Sequence, residues 1–194
     1  MKKTGSLRKL RRAMEMVQDA KRFEHTLGVE YTAAALAMRY GCDIVNAQVA
    51  GLLHDCAKCL SDERRIAICE KNHIPITALE KRNPFLLHAK VGAYLAKKKY
   101  GVKDPDILNA IRNHTTGRQG MSLLEKIVFI ADYIEPGRKH APNLEEVRRL
   151  AFTDLDAALL KILGDTLNYL KTSGGDIDPM TEQTWRYYEE NKVI

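Results

Sequence analysis

The sequence has no long apolar run, and this absence excludes one large class of protein. No stretch of the 194 residues approaches the roughly 18 consecutive apolar residues that a membrane-spanning helix needs. The first five residues include two lysines rather than the apolar core of a secretory signal. We therefore expect a protein without membrane spans that stays in the cytoplasm.

Cysteines are also few, and they do not form the pattern of a disulfide-rich exported domain. The chain has four, Cys42, Cys56, Cys59 and Cys69, in a length that can supply a core without disulfides. Cys56 and Cys59 form a CxxC pair, which is typical of a redox site or of half a zinc site. No second CxxC is present to complete a cage of four thiolates. Buried, reduced thiols are the simpler interpretation.

Strand-like alternation of apolar and polar residues is missing, and the apolar periodicity is helical almost throughout. No internal repeat or low-complexity linker divides the chain. A hydrophobic content of 45% is enough for a proper core. We therefore predict an all-α fold and a single domain over residues 1–194, with C-terminal helices packed on a core at about residues 20–140.

The positive charge is modest and lies mostly near the N-terminus. The net charge is +6, which favours an anionic partner. Six of the basic residues are Lys2, Lys3, Arg8, Lys9, Arg11 and Arg12. They suit either nucleic-acid contact or the solvated face of an amphipathic helix whose apolar stripe is Leu7, Leu10, Met14 and Val17. We favour the second interpretation, so nucleic acid is not the expected partner.

Helix start and stop signals indicate where the most informative polar residues lie. Asp43 is expected to cap a helix that ends near His54. Ser122 and Glu125 form a capping box ahead of an apolar run, so Asp132 falls one turn from the end of a buried helix. A carboxylate at that position needs a partner.

His54 and Asp55 stand side by side behind the apolar residues 49–53. An imidazole and a carboxylate are costly to bury unless something satisfies both groups, and a divalent metal ion does so at once. The dipeptide therefore predicts a metal site.

Three further histidines share the apolar helical context of His54, namely His25, His88 and His114, and Asp132 adds a second carboxylate. Each histidine alone is more often a hydrogen-bonded core residue than a ligand. Together, four imidazoles and two carboxylates suit two borderline ions such as iron, manganese or zinc, whereas magnesium or calcium would need mostly oxygen ligands.

The order of these residues resembles that of the HD-domain metal-dependent phosphohydrolases over roughly residues 20–140. Four strings narrow the resemblance to the bacterial YqeK family: residues 51–58 (GLLHDCAK), 88–93 (HAKVGA), 110–118 (AIRNHTTGR) and 131–138 (ADYIEPGR). The resemblance implies a helical HD-domain bundle and an enzyme that cleaves diadenosine tetraphosphate symmetrically into two ADP at a di-iron centre.

The resemblance also implies a role for each polar residue. His25, His54, Asp55 and Asp132 would hold the first metal ion, and His88 and His114 the second, with Asp55 placed to bridge. Iron is the expected metal, and manganese or zinc are alternatives because the same ligands accept them. A hydroxide held between two such ions is the expected nucleophile.

Several cations and hydroxyls are candidates for contact with the polyphosphate. Lys58 is one helical turn beyond His54, so its ammonium is expected over the same face, and we assign catalytic roles to Asp55 and Lys58. The candidates for substrate binding are Arg22, Lys58, Thr115, Thr116, Arg118 and Arg138. For the lysine and the arginines the alternative is a solvated surface charge, and for Arg118 it is an exposed side chain at a helix C-terminus.

Two other functions compete with this interpretation. An HD-domain phosphohydrolase acting on nucleoside monophosphates or cyclic nucleotides would use the same metals with another pocket. A non-catalytic nucleotide- or RNA-binding module would use the basic surface, although such a module has no need for six metal-seeking groups. The sequence is compatible with a homodimer as well as with a monomer.

Overall fold

The computed structural model describes residues 7–191, and in this range it confirms the all-α prediction. The described residues form eleven α-helices and one short 3-10 helix at Pro84–Leu87. The α-helices are α1 (Leu7–Val17), α2 (Ala20–Tyr40), α3 (Ile44–Leu53), α4 (Asp62–Lys71), α5 (Ala78–Arg82), α6 (His88–Lys98), α7 (Pro105–Asn113), α8 (Leu123–Ile134), α9 (Leu144–Thr153), α10 (Leu155–Ser173) and α11 (Pro179–Glu190).

Within residues 7–191, none of the helices combines the length and apolarity needed to cross a membrane. The expected cytoplasmic location stays a prediction. In α1, Leu10 and Met14 are buried as the apolar stripe predicts, whereas Val17 is exposed. Lys2 and Lys3 lie outside the described residues.

Side-chain caps determine where the helices that carry the polar cluster begin. The Asp43 carboxylate accepts a backbone N–H at 2.7 Å and starts α3. Ser122 and Glu125 form the predicted capping box of α8, in which each side chain accepts the backbone N–H of the other residue. Such caps satisfy N–H groups that have no partner inside the helix. Helix α3 ends directly before His54, and Asp132 lies in the last turn of α8.

The central helix is α3, which packs against α1, α2, α6, α7 and α8. Its residues from Val49 to Leu53 are buried, as expected for a helix that has no polar face over this length. Burying one such leucine side chain stabilises the fold by about 1.5–3 kcal/mol. Because α3 is anchored on all sides, the residues that follow it are delivered to the middle of the core.

The C-terminal helices extend the same core. The larger of two clusters of buried apolar residues runs from Leu10 in α1 to Leu163 in α10, and Trp185 and Tyr188 of α11 pack against it. Helix α10 contacts α8, α9 and α11. This packing agrees with the expected arrangement of the C-terminal helices, and the single domain over the whole chain stays a prediction.

The close contact between α2 and α3 depends on Gly51, and this generates a prediction about stability. A Cβ atom at Gly51 would lie 2.9 Å from the Cα atom of Glu30 in α2. We expect Gly51→Ala to lower the free energy of unfolding by about 1–3 kcal/mol, because two backbones must separate. Gly164→Ala in α10 is the control, since a Cβ there meets only Trp185 Nε1 at 3.5 Å. Urea denaturation measures both, and equal stabilities would contradict the prediction.

Candidate metal centre

The six residues that the sequence indicates as metal ligands come together at one buried place in the structure. Three overlapping triplets have ligand atoms that all lie within 4.8 Å of one another. The triplets are His25, His54 and Asp55; His54, His114 and Asp132; and Asp55, His88 and His114. They come from five different parts of the chain, so tertiary packing and not local sequence creates the cluster.

Three of the histidines share one local geometry. His54, His88 and His114 each direct Nδ1 at the carbonyl oxygen three residues earlier, at 2.6–2.7 Å. A carbonyl can only accept, so Nδ1 carries the proton and Nε2 keeps its lone pair. Metal-binding histidines are commonly oriented in this way.

This geometry requires the histidines to lie at helix ends. His54 and His114 are the C-cap residues of α3 and α7, and His88 follows the 3-10 helix as the first residue of α6. The expected helical context is therefore right for His88, whereas His54 and His114 lie directly after the last residue of their helices. The physical reason is that a carbonyl group inside a helix already accepts the N–H of the residue four positions later. The carbonyl groups of the last turn have no such partner and remain available.

Asp55 lies between two pairs of histidines. Its exposure is 2%, and Oδ1 lies 3.4 Å from Nε2 of both His88 and His114. Oδ2 lies 3.5 Å from His54 Nε2 and 2.9 Å from an Arg22 nitrogen. Among the described residues, Oδ1 has no hydrogen-bond partner although it is buried. A cation beside Oδ1 would satisfy this oxygen, so the residues present fit a metal ion.

The imidazole nitrogens give a second indication of cation binding. Nε2 of His88 lies 3.2 Å from Nε2 of His114, and Nε2 of His25 lies 3.3 Å from Nε2 of His54. Two lone pairs that face each other at this distance repel unless a proton or a metal ion lies near both. The cluster therefore has two close pairs of imidazole nitrogens, one on each side of Asp55, and both pairs suit a nearby cation.

The electrostatics of the cluster favour charged carboxylates. Burial acts to raise the pKa of Asp132, but the His25 ring nitrogen at 3.1 Å and the neighbouring His54 outweigh this effect, so the pKa lies well below its usual range. The same competition leaves the pKa of Asp55 well below its usual range, with the neighbouring His54, His114 and Lys58 opposing burial. Burial and the nearby His114 and Lys58 lower the pKa of His88 to about 3. Ionised carboxylates and a neutral imidazole are the states that ligate metals.

Lys58 faces the cluster, but not for the reason that the sequence indicated. Helix α3 ends at Leu53, and residues 54–59 form consecutive turns in which the Lys58 N–H donates to the Asp55 carbonyl. The helical spacing argument was therefore wrong. The turn still places Lys58 Nζ 3.0 Å from His88 Nε2 and 3.7 Å from Asp55 Oδ1. Burial lowers the pKa of Lys58, against the opposing effect of Asp55.

Three other candidate substrate residues lie beside the cluster. Arg22 and Arg138 each pair with a cluster carboxylate at 2.9 Å, Arg22 with Asp55 and Arg138 with Asp132. Both arginine side chains are about one third exposed. Thr115 Oγ1 lies 3.4 Å from His88 Nε2. Their roles toward a substrate stay predictions.

Thr116 and Arg118 have other partners. Thr116 Oγ1 donates to the Gly117 carbonyl at 3.0 Å. Arg118 makes a two-point ion pair with Glu125, at 2.7 Å and 2.5 Å, and Glu125 is 1% exposed. This pair supports a structural role for Arg118, and its expected contact with substrate stays a prediction.

Cys56 and Cys59 do not form a reactive pair in the structure, where all four cysteines are free. Cys56 is buried, and burial raises the pKa of its thiol to about 12. Cys69 is also buried, whereas Cys59 is exposed and Cys42 is partly exposed. The interpretation as buried thiols was therefore right for Cys56 and Cys69 and wrong for the other two.

Glu135 is a residue of the centre that the sequence reasoning missed. Its buried carboxylate accepts a hydrogen bond from His25 Nδ1 at 3.1 Å, which orients the imidazole toward the cluster. Its position in the sequence could have indicated this role. Glu135 directly follows the apolar last turn of α8, so, like Asp132, its carboxylate needs a partner if it is buried. Glu135 also lies inside the string 131–138 that contributed to the resemblance.

A cavity of about 360 Å³ opens beside the cluster. Its wall is formed by His114, Thr115, Phe129, Asp132, Tyr133, Arg138, His140, Ala141, Pro142, Ile162, Thr166 and Tyr169. The lining is mostly apolar and aromatic, with the cluster at one end. Such a composition is typical of a small-molecule site.

The Arg118 ion pair generates a prediction about stability. We expect Arg118→Ala to lower the free energy of unfolding by about 1–3 kcal/mol, because it leaves the buried Glu125 carboxylate without its charged partner. The Michaelis constant for the implied substrate should stay unchanged. Arg112→Ala, at an exposed position of α7, is the control and should leave stability unchanged. A raised Michaelis constant with normal stability in Arg118→Ala would instead show that Arg118 contacts the substrate.

The difference in stability between the wild type and Arg118→Ala should depend on pH, and its direction follows from the pKa of Glu125. Burial acts to raise that pKa, but Arg118 and the Ser122 N–H lower it below the usual value of 4.5. A lowered folded pKa stabilises the fold above the unfolded pKa, and this contribution is lost as the pH falls through the folded value. The stability difference between wild type and Arg118→Ala should therefore be full at pH 7 and shrink in acid below 4.5.

Comparisons with known proteins agree with this geometry. The HD domain family matches residues 22–137, a range that includes all six clustered residues. The chain is 45% identical over 166 residues to a symmetrical bis(5'-nucleosyl)-tetraphosphatase of Bacillus subtilis, covering 86% of this chain and 88% of that protein. It is 44% identical over 164 residues to the enzyme of the same name from Halalkalibacterium halodurans, covering 84% and 87%.

A solved structure extends the similarity to the whole fold. The crystal structure of a protein from Clostridium acetobutylicum, described as a predicted HD superfamily hydrolase involved in NAD metabolism, superimposes with a TM-score of 0.94 at 42% identity. The match covers 98% of this chain and all of that one. The chain therefore belongs to the HD-domain hydrolases and, within them, to the YqeK-type family that contains the symmetrical bis(5'-nucleosyl)-tetraphosphatases.

Proposed function

We propose that this enzyme is a symmetrical bis(5'-nucleosyl)-tetraphosphatase, which hydrolyses diadenosine tetraphosphate into two molecules of ADP. The observation that carries the proposal is the cluster of four imidazoles and two carboxylates around Asp55 Oδ1, which is buried without a hydrogen bond. This cluster occurs in a chain that aligns over most of its length with enzymes of that name. An acid anhydride hydrolase is the activity that both findings support.

Two divalent ions fit this cluster. His25, His54, Asp55 and Asp132 would hold one, and His88 and His114 would hold the other, with Asp55 placed between the two. The two close pairs of Nε2 atoms, at 3.3 Å and 3.2 Å on either side of Asp55, support two positions rather than one. Bound there, the ions neutralise phosphate charge and activate water, and iron, manganese and zinc all suit the ligands.

The cationic side chains around the cluster would bind the polyphosphate. Lys58 is partly buried beside Asp55 and His88, where its ammonium can donate to phosphate oxygens in the transition state. Arg22 and Arg138 pair with carboxylates that metal ions would also engage. Once those carboxylates are ligands, the guanidinium groups are available for two-point contacts with phosphate.

The cavity beside His114 and Asp132 suits one nucleoside end of the substrate. Its volume of about 360 Å³ and its aromatic and apolar wall are appropriate for a base and sugar. Tyr169 is 60% exposed at this wall, where its ring can stack on a purine. The nearby Arg138 would then meet the first phosphates. A homodimer and a cytoplasmic location also stay predictions.

Product analysis tests the proposal. Protein loaded with Fe²⁺ or Mn²⁺ is incubated with diadenosine tetraphosphate, and the nucleotides are separated by chromatography. We expect ADP as the single product, whereas ATP with AMP would mean asymmetric cleavage and a different enzyme. Release of phosphate from nucleoside monophosphates or cyclic nucleotides, without cleavage of the tetraphosphate, would favour the competing phosphohydrolase function.

His54→Ala and Asp55→Ala test the metal centre. We expect each to lose bound metal and activity together, because each removes a ligand from the middle of the cluster. Metal binding also stabilises folding, so both should lose the rise in melting temperature that metal gives the wild type. Elemental analysis and thermal denaturation are the measurements. Full turnover with unchanged metal content in either variant would contradict the assignment.

Lys58→Ala tests the role of the ammonium. We expect kcat to fall about tenfold or more while metal content is unchanged, because developing phosphate charge loses its partner. Lys98→Ala, at an exposed position of α6, is the matched control and should behave as wild type. Equal kcat values in the two variants would remove Lys58 from the mechanism.

A further inference from the structure

One arginine outside the HD-matched residues holds the turn that follows α8. Arg148, in α9, donates from Nε to the Ile134 carbonyl at 3.0 Å. Its Nη2 donates to the carbonyls of Glu135 at 2.9 Å and Arg138 at 3.1 Å. Ile134 ends α8 and Glu135 caps it, so one guanidinium donates to two carbonyls at the end of the helix and to a third in the turn beyond it. The backbone of residues 134–138 is thereby fixed to α9.

This turn supplies the buried carboxylate beneath His25. Glu135 is 4% exposed, and its two oxygens accept separate donors: Oε1 from His25 Nδ1 at 3.1 Å and Oε2 from the Gly137 N–H at 2.5 Å. The surroundings leave little room for another position. A Cβ atom at Gly28 would lie 2.6 Å from Oε2, and one at Gly137 would lie 2.9 Å from it.

His25 differs from the other three histidines in what orients it. His54, His88 and His114 use a carbonyl of their own chain segment, three residues earlier. His25 lies inside α2, and its Nδ1 is bonded to a side chain 110 residues away. Its orientation therefore depends on how accurately the turn after α8 is held.

We propose that Arg148 is a positioning residue for the metal centre: by fixing residues 134–138 it holds Glu135 under His25, and so sets the direction of His25 Nε2. The same turn carries Arg138, which bonds both the backbone carbonyl and the carboxylate of Asp132. The inference rests on the proposed metal centre but not on the identity of the substrate.

Metal affinity without substrate is the test. Arg148→Lys keeps the charge, but a single ammonium cannot reproduce a fork that reaches three carbonyls. We expect the dissociation constant for Mn²⁺, measured by chelator competition, to rise about 10- to 100-fold, the usual effect of removing an outer-shell partner. Arg149→Lys, at the exposed neighbouring position, is the control and should leave it unchanged. Lower thermal stability with unchanged Mn²⁺ affinity in Arg148→Lys would mean a merely structural role and overturn the proposal.

A double-mutant cycle tests whether Arg148 acts through Glu135. Glu135→Gln preserves size but has one acceptor oxygen for two N–H donors, so we expect weaker Mn²⁺ binding as well. If Arg148 acts through Glu135, the variant that carries both substitutions should bind Mn²⁺ no more weakly than Glu135→Gln alone. Additive losses of Mn²⁺ affinity would mean that Arg148 does not act through Glu135, and would overturn the proposal. Wild-type Mn²⁺ binding without cleavage of diadenosine tetraphosphate would contradict the proposed function and leave this inference standing.

Discussion

The burial of Asp55 is the constraint on which the rest of the site depends. A carboxylate that is 2% exposed, with one oxygen that has no hydrogen bond to the described residues, is stable only if positive charge is near. The four imidazoles supply lone pairs that face one another at 3.2–3.3 Å, and these also call for cations. Bound metal ions would meet both requirements, and this would explain how six polar groups can lie in the middle of an apolar helical core.

The site is built at helix ends and turns, whereas the helices supply the rigid frame. The C-terminal half of α3 is fully buried and the helix stops at Leu53, so the histidine and aspartate that follow are placed precisely without being helical. Two arginines hold the irregular segments: Arg65 donates to the carbonyls of Lys58 and Leu60, and Arg148 donates to those after α8. Guanidinium groups suit this task because their donors form a planar fork.

Much of the fold and the ligand set could be predicted because the responsible signals are local. The Asp43 cap and the Ser122–Glu125 box involve residues three apart, and they are formed as expected. The prediction for Lys58 reached the right place through a wrong helical argument, since the turn at residues 54–59 was not anticipated. Arg118 had two equally suitable sequence interpretations, and only the structure provided its buried partner, Glu125.

The sequence by itself determined the chemistry of the centre: four imidazoles and two carboxylates on apolar segments, and the local carbonyl that sets the tautomer of three histidines. Only the tertiary structure decided which groups face each other. The bonds from His25 to Glu135 and from Arg148 to the turn after α8 join segments far apart in the chain or on different helices. Their partners are selected by how α2, α8 and α9 pack, because a side chain bonds whatever polar group the packing brings within about 3 Å.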